Sequence, residues 1–292
     1  MDTIKSIVCP LDLSESSKRA YRVAKYLSDI TGAELWVLHV IPEGTEFYSS
    51  IYPNLSDLMG GIQEHIEEKI DAVIDTKDPL IHRVVLSGKP YEEIIKFQEH
   101  KDADLIVMGA KGISTIEAVL LGNTADRVLR NANCPVIINR GDFKDYKIKK
   151  ILVPTNLSEF SEYALKQVIG LARKTAAEID LLHVLDIHTY DAGKVEDFMK
   201  SEKGKSLETK ARNAMKTPEG SENVTINKVL ARGFETASEI VHYAVENNVD
   251  LIAIASHGRK GISKLLLGSV ADKVIRIAPC PVMVVKHPKL FD

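Results

Sequence analysis

Residues 251–270 read LIAIASHGRKGISKLLLGSV. An apolar strand over residues 251–254 runs into a loop of small and glycine residues, and a helical pattern follows Gly268. A strand without polar alternation is typical of a parallel sheet that helices cover on both faces. Because strands and helices alternate in this way along the chain, the sequence predicts an α/β fold.

The chain repeats itself once. Residues 5–40 share 15 identities with residues 149–184. Residues 102–140 share 16 identities with residues 248–286. Matches of this density over short stretches indicate two diverged copies of one domain.

The repeat predicts two tandem domains, residues 1–144 and residues 145–292. Each is predicted to be Rossmann-like or flavodoxin-like, with a five-stranded parallel sheet between helices. The predicted strands are 7–11, 35–40, 82–86, 105–108 and 135–139 in the first copy, and 151–154, 179–184, 224–230, 251–254 and 281–285 in the second. The helices predicted in the first copy include 55–75, 91–100 and 114–132.

The composition is that of an ordinary globular protein, with 45% hydrophobic and 27% charged residues. The formal net charge of −3 gives no basic surface for duplex nucleic acid. No apolar run reaches the roughly 18 residues of a membrane span, and the N-terminus lacks the pattern of a signal peptide. Three cysteines cannot build a disulfide framework. We therefore expect a cytoplasmic protein without nucleic-acid or membrane partners.

The loop in residues 251–270 has the construction of a phosphate-binding site. Gly258, Gly261 and Gly268 let backbone N–H groups approach an anion, and a helix N-terminus adds partial positive charge. Ser269 lies where it either caps the helix or donates to a phosphate oxygen, and Arg259 adds charge beside it. The alternative is a glycine-rich turn that holds no ligand.

Two more strand ends are predicted at the same edge of the sheet, because parallel strands share their carboxyl edge. The first strand of the second copy ends at Pro154-Thr155-Asn156, and the next ends at His183-Val184. Asn156 is a candidate to hold a ribose hydroxyl or an adenine edge, and the Val184 backbone is a candidate to meet the base. His183 and its counterpart His39 are expected to be packed, hydrogen-bonded residues rather than ligands.

Together these features resemble the universal stress protein family in its tandem form, over nearly the whole chain. Nucleotide-binding members carry Gly, two residues, Gly, nine residues, and then Gly followed by Ser or Thr. The first copy has Gly109, Gly112 and Gly122 in this spacing, but Asn123 stands at the last position. It keeps the family's ribose-contacting aspartate as Asp12.

The second copy departs from the family pattern at other positions. It keeps Gly258, Gly268 and Ser269, but Ala255 replaces the opening glycine and Asn156 replaces the aspartate. An alanine adds one methyl group, which is tolerable where φ is negative, and an asparagine keeps a hydrogen-bond acceptor. We therefore expect the second copy to be the more favoured site.

The resemblance implies that ATP or AMP is the ligand, with Mg²⁺ as a further candidate. In the second copy the implied binding residues are Pro154, Thr155, Asn156, Val184, Ile254, Ala255, Ser256, His257, Gly258, Arg259, Gly261, Gly268, Ser269 and Val270. In the first copy they are Pro10, Leu11, Asp12, Val40, Met108, Gly109, Lys111, Gly112, Gly122, Asn123 and Thr124.

The function implied is a stress-response protein that binds an adenine nucleotide and acts as a regulatory or signalling module. Two alternatives stay open: an interaction or chaperone-like protein without nucleotide, and a slow ATPase. The sequence holds no Walker-type Gly-Lys-Ser/Thr loop, so at most weak hydrolysis is expected.

The family also pairs two domains through their last strands. Residues 135–139 and 281–285 are therefore expected to make one chain a pseudo-dimer, and a homodimer of chains is a further option. Cys134 and Cys280, which precede these strands, are expected to be buried small hydrophobic residues.

Overall fold

The computed structural model of the chain divides into two compact units, the first ending at Tyr146 and the second beginning at Lys147. The described residues are 4–42, 64–111, 121–141, 145–186, 197, 200–257 and 267–288. Each unit is an α/β domain with a parallel sheet and helices, as the sequence predicts.

The described residues of the first unit form five parallel strands. They are β1 (Ser6–Pro10), β2 (Glu34–Pro42), β3 (Ile81–Gly88), β4 (Leu105–Gly109) and β5 (Val136–Asn139). Their order in the sheet is β3-β2-β1-β4-β5. The helices are α1 (Glu15–Thr31), α2 (Pro90–His100) and α3 (Asn123–Asn131), with a further helical segment over 64–71.

The second unit repeats this topology. Its strands are β6 (Lys150–Pro154), β7 (Glu178–Asp186), β8 (Ile226–Gly233), β9 (Leu251–Ala255) and β10 (Val282–Val285). Their order is β10-β9-β6-β7-β8, again parallel. The helices are α4 (Glu159–Thr175), α5 (Glu202–Ala214), α6 (Thr236–Glu246) and α7 (Ser269–Ile277).

The central strands supply the core of each unit. Every residue of β4 is buried, and so is every residue of β5 and β10. Strands with no solvent-facing side are expected where helices cover both faces of a parallel sheet. The order reverses between β1 and β4, and between β6 and β9, so each unit has one switch point where a crevice forms at the carboxyl edge.

Two helix predictions need correction or remain partly outside the described residues. The predicted helix over 114–132 is wrong at Leu121 and Gly122, because Gly122 has an extended ψ of 148° and α3 begins after it. Residues 112–120 lie outside the described residues. Of the helix predicted over 55–75, the described part is helical over 64–71, and Ile70 is buried.

The two units differ at one position of their second strands, which holds Trp36 in the first unit and Asp180 in the second. In the second unit the buried carboxylate of Asp180 on β7 accepts hydrogen bonds from the Tyr243 hydroxyl (2.9 Å) and the Asn227 amide (2.8 Å). In the first unit the corresponding strand position holds Trp36, which stacks on His82 with ring centroids 4.2 Å apart. One sheet position thus supports a polar network in one copy and an aromatic stack in the other.

No helix among the described residues is both long enough and apolar enough to cross a membrane.

Replacing Tyr243 by Phe tests the buried network. The variant Tyr243→Phe removes the shorter contact of the buried Asp180 Oδ2 and leaves it only the Lys150 ammonium at 3.8 Å, so we expect the free energy of unfolding to fall by about 1–3 kcal/mol. Urea denaturation measures the change. The control is Tyr91→Phe, which removes a hydroxyl bonded to the partly exposed Glu92 (2.8 Å) and is expected to cost under about 0.5 kcal/mol. Equal losses for the two variants would contradict the role given to Asp180.

Candidate functional site

A pocket of about 520 Å³ opens at the carboxyl edge of the second sheet, at its switch point. The ends of β6, β7 and β9 and the first turns of α6 and α7 form its walls. Its lining residues are Pro154, Thr155, Asn156, Ser161, Leu182, His183, Val184, Thr236, Ile240, Ile254, Ala255, Ser256, His257, Leu267, Gly268, Ser269, Val270 and Ala271. The pocket therefore brings together every described residue that the sequence suggested for the second copy.

The turn between β6 and α4 forms one wall of this pocket. The Thr155 N–H donates to the Leu182 carbonyl (2.8 Å), which extends the pairing of β6 and β7 by one bond. Leu157 then turns the chain with a φ of 61°, and its N–H donates to Thr155 Oγ1 (3.1 Å). Ser158 caps α4, as the Leu-Ser-Glu pattern common to both copies leads one to expect.

Asn156 lies in that turn, and its side-chain oxygen accepts two hydrogen bonds. Its Oδ1 accepts hydrogen bonds from the Ser158 N–H (3.2 Å) and the Ser158 hydroxyl (2.6 Å). Asp12 of the first unit makes the same pair of bonds with Ser14, at 3.1 and 2.6 Å. Both residues therefore hold the turn that precedes a helix.

The connection from β9 to α7 forms the opposite wall. The Gly268 N–H donates to the Ser256 carbonyl (2.8 Å), which holds the start of α7 against the end of β9. A Cβ atom on Gly268 would lie 3.2 Å from that carbonyl oxygen, a tight contact with backbone. A glycine is thus favoured here by close approach rather than by φ, which is −61°.

The first turn of α7 leaves backbone N–H groups without helical partners beside the pocket. The first intrahelical bond runs from the Asp272 N–H to the Gly268 carbonyl (2.9 Å), so the N–H groups of Ser269, Val270 and Ala271 have no partner within the helix. All three residues line the pocket. The suggestion that Ser269 caps α7 is wrong, because Gly268 is the N-cap and Ser269 is the first helical residue.

Two histidines line the pocket. The Nδ1 of His183 lies 2.8 Å from the Thr155 carbonyl, and because a carbonyl only accepts, Nδ1 carries the proton. His39 makes the equivalent bond to the Leu11 carbonyl (2.7 Å). His257 is buried, and its Nδ1 lies 3.0 Å from the Ser256 hydroxyl. No aspartate, glutamate, lysine or arginine is among the lining residues in the described part of the chain.

An ion pair fastens the two helices that border the pocket. Glu235 caps α6 by accepting from the Ser238 N–H (2.8 Å), and its carboxylate lies 2.9 Å from the Lys273 ammonium of α7. The hydrogen bond from the Ser238 hydroxyl, followed by that from Lys273, lowers the pKa of Glu235 to about 2. The ion pair thus links the start of α6 to α7.

The first unit has the same backbone frame. The Leu11 N–H donates to the Leu38 carbonyl, and the Gly122 N–H donates to the Ala110 carbonyl, both at 2.8 Å. The suggested residues of this copy take their places at strand ends or the helix start. Pro10 ends β1, Leu11 and Asp12 follow it, Val40 lies near the end of β2, Met108 and Gly109 end β4, Lys111 follows β4, Gly122 caps α3, and Asn123 and Thr124 begin α3.

The two units differ in their packing at the position of Gly109. A Cβ atom on Gly109 would lie 2.8 Å from the backbone carbonyl carbon of Ser16, so the start of α1 approaches β4 too closely for any other residue. The second unit holds Ala255 at this position and Phe160 in place of Ser16. Ala255 is not among the described residues with positive φ, so its methyl group is accommodated without backbone strain.

The comparisons with known proteins agree with this architecture. The model of the universal stress protein family matches residues 3–140 and again residues 147–286. The chain belongs to the universal stress protein family. It is a tandem member, because each unit matches the family by itself.

Relatives of this tandem universal stress protein include chains of one repeat and of two. A universal stress protein of Methanocaldococcus jannaschii is 36% identical over 143 residues, which cover 48% of this chain and 84% of the relative. The crystal structure of a universal stress protein from Archaeoglobus fulgidus covers 96% of this chain and 98% of its own, with a TM-score of 0.63 and 26% identity. A protein of unknown function from Pseudomonas aeruginosa, 15% identical with a TM-score of 0.64 over 99% of this chain and 95% of its own, shares the fold.

Some site residues were missed by sequence reasoning, and others lie outside the described residues. The missed residues that line the pocket are Ser161, Leu182, Thr236, Ile240, Leu267 and Ala271. Thr236 and Ile240 follow the third strand of the unit, whose end reaches the same sheet edge, and that position was the available signal. The suggested residues Gly112, Gly258, Arg259 and Gly261 lie outside the described residues.

The cysteines of this universal stress protein are buried, and all three are free thiols. Burial raises the pKa of Cys9, and burial raises the pKa of Cys280 to about 12. These thiols behave as small hydrophobic core residues. Among the described residues no group of three His, Cys, Asp or Glu side chains is placed to hold a metal ion.

The matched variants Gly109→Ala and Ala255→Gly test the difference between the units. Gly109→Ala forces the start of α1 away from β4, so we expect the free energy of unfolding to fall by about 1–3 kcal/mol. Ala255→Gly removes a methyl group at a site of intermediate exposure and is expected to cost about 1 kcal/mol or less. Urea denaturation of both variants measures this, and a Gly109→Ala variant as stable as the parent contradicts the close approach.

The variant Glu235→Gln tests the ion pair between α6 and α7. The folded pKa of Glu235 is about 2 against an ordinary value of 4.5, so its carboxylate stabilises the fold above pH 4.5 and loses that effect as the pH falls toward 2. We expect the parent to be more stable than Glu235→Gln at pH 7 by under about 1 kcal/mol, because the pair is half exposed. Thermal unfolding from pH 7 to pH 2 measures the difference. A difference that persists undiminished at pH 2 contradicts this assignment.

Proposed function

We propose that the pocket of the second unit binds an adenine nucleotide, ATP or AMP. The observation that carries this proposal is the convergence of three strand ends on the first turn of α7 around one pocket. A volume of about 520 Å³ lies within the roughly 300–1,000 Å³ of small-molecule sites. The resemblance of this chain to nucleotide-binding members of its family supports the same ligand.

The two walls of the pocket suit different parts of a nucleotide. The N–H groups of Ser269, Val270 and Ala271 suit the phosphates, because an N-terminal helix turn favours anions. Leu182, Val184, Ile240 and Ile254 supply apolar surface that suits the base.

Magnesium fits the protein side of this pocket poorly. Mg²⁺ prefers carboxylate oxygens and water, and the described lining residues include no carboxylate. We therefore assign any Mg²⁺ to the nucleotide, which carries it on its phosphates. For the same reason we propose no catalytic residue, and we expect hydrolysis of ATP well below about one turnover per second.

We propose that this nucleotide site makes the protein a regulatory module of a cytoplasmic stress response. A nucleotide in the pocket contacts both α6 and α7. If it binds one arrangement of these helices more tightly, it shifts the population of protein molecules toward that arrangement. The first unit is proposed as the weaker site, because Asn123 stands where nucleotide-binding members carry Ser or Thr. The pairing of the last strands of the two copies, and a homodimer, stay predictions.

The variant Gly268→Leu tests the site. A side chain here collides with the Ser256 carbonyl and moves the first turn of α7, so we expect ATP affinity of the second unit to fall at least about tenfold. The milder Gly268→Ala is expected to weaken binding less, since its Cβ meets a single atom at 3.2 Å. Isothermal titration calorimetry measures both affinities.

Gly122→Leu is the matched control, because Gly122 holds the same helix-cap position in the first unit. It is expected to leave the ATP affinity of the second unit unchanged. Circular dichroism checks that each variant is folded. A folded Gly268→Leu variant that binds ATP like the parent would overturn the site assignment.

A further inference from the structure

The helix that precedes the edge strand has opposite charge in the two units. In the first unit it is the helical segment over 64–71, which comes before β3, and in the second unit it is α5, which comes before β8. Residues 64–78 carry six carboxylates against two lysines, a formal charge of −4 with neutral histidine. Residues 200–216 carry six basic side chains against two carboxylates, a formal charge of +4. One position of the repeat is therefore acidic in one unit and basic in the other.

The helix α5 uses one side to pack beside its edge strand. The residues on this inner side are Gly204, Ala211 and Met215, which are all buried. A polar bond joins α5 to β8 as well, because the Arg212 guanidinium donates to the Lys228 carbonyl (2.6 Å). The inner side of α5 is thus occupied within the second unit, and its other side is exposed.

The exposed side of α5 carries an apolar residue between two lysines. Lys203, Leu207 and Lys210 follow one another at intervals of four and three residues, which places them on one face of a helix. Leu207 is 40% exposed. Glu208 binds Arg232, whereas neither lysine has an ion-pair partner in the part of the chain that the structure describes. We call Lys203, Leu207 and Lys210 the basic face.

The first unit presents a complementary arrangement. Glu68, Ala72 and Asp75 follow at the same intervals of four and three residues, and all three are exposed. Glu64, four residues before Glu68, adds another exposed carboxylate. The Glu68 carboxylate lies 3.9 Å from the Nδ1 of the exposed His65, which is too far for a hydrogen bond. We call Glu64, Glu68, Ala72 and Asp75 the acidic face.

The other acids of this segment are engaged within the first unit. Arg83 of β3 binds Asp71 (2.5 Å) and Glu67 (2.9 Å). The Lys25 ammonium of α1 lies 3.1 Å from the Asp78 carboxylate. These contacts hold the segment against β3 and α1, so the acidic face is the part of its charge that stays available to a partner.

The two faces match in spacing as well as in charge. Seven residues of helix rise about 10 Å, so Lys203 and Lys210 are about as far apart as Glu68 and Asp75. Opposite charges at matched spacing attract, and the exposed Leu207 then meets Ala72 between them. Every chain carries both faces, so a second copy of the chain is a partner with the required charge, spacing and apolar surface.

We propose that the basic face of one chain binds the acidic face of a second copy of this chain. A two-fold dimer contains this contact twice, because each copy then offers both faces to the other. Exposed ion pairs are weak and are screened by salt, so the association is reversible and depends on ionic strength. No residue of either face lines the pocket of the second unit, so the proposal is independent of the nucleotide function.

Sedimentation equilibrium of the intact chain at several protein concentrations tests the association. We expect self-association at about 20 mM salt that weakens at least about tenfold at about 500 mM, because the Debye length falls from roughly 20 Å to roughly 4 Å. A chain that stays monomeric at both salt concentrations overturns the proposal. That result is also the one expected if the basic face binds an anionic surface other than this chain.

Charge reversal on each face identifies the contact. The double variant Lys203→Glu with Lys210→Glu, and the double variant Glu64→Lys with Glu68→Lys, are each expected to weaken self-association at least about tenfold at low salt, because attraction becomes repulsion. An equimolar mixture of the two double variants is expected to associate as the parent does, because the reversed faces are complementary to each other. Association that survives in both double variants, or a mixture that stays monomeric, overturns the proposal.

Lys166→Glu with Lys174→Glu is the matched control. Both lysines are exposed on α4, and their reversal changes the net charge as much as the reversal of the basic face does. The control is expected to associate like the parent, and circular dichroism checks that every variant is folded. An equal loss of association in the control would assign the effect to net charge alone and would also overturn the proposal.

Discussion

The reversal of strand order beside β6 is the constraint on which the second unit depends. Strands β7 and β8 lie on one side of β6, and β9 and β10 lie on the other, so the connections leaving β6 and β9 part from each other at the carboxyl edge. The crevice between them cannot be closed by the sheet itself. Three short bonds shape its walls, from the Thr155 N–H to Leu182, from the Gly268 N–H to Ser256, and from His183 to the Thr155 carbonyl.

The same frame has diverged in two directions by small substitutions. In the first unit Gly109 lets the start of α1 settle directly on β4. In the second unit Ala255 occupies that position, beside Phe160 rather than Ser16. The end of this central strand therefore carries a methyl group in one unit and none in the other, beside a different residue at the start of the helix.

Much of the fold was predictable because the repeat and the apolar strands are strong local signals. The Ser14 and Ser158 helix starts could also be predicted, since a serine cap follows a short polar turn in both copies. The error at Leu121 and Gly122 has a physical cause, because Gly122 takes extended backbone as a cap and apolar periodicity does not reveal this. Helix periodicity alone cannot locate the residue at which a cap forms.

The candidate site was predictable where a residue ends a strand or begins α7, but not where contact depends on packing. Thr236 and Ile240 reach the pocket only because β8 ends at the same edge as β7. The direction of the Asn156 amide was also beyond sequence reasoning, because it depends on which Ser158 groups donate to it. Sequence spacing gives neighbours along the chain, whereas hydrogen-bond polarity needs the folded turn.

The second unit is proposed to hold an adenine nucleotide in the pocket between β6 and β9. The most direct measurement is a calorimetric titration of the intact chain with ATP and Mg²⁺, on protein shown to be free of nucleotide carried through purification. We expect saturable binding with one principal site per chain. No binding heat at any temperature tested, from protein that is folded and nucleotide-free, would contradict it.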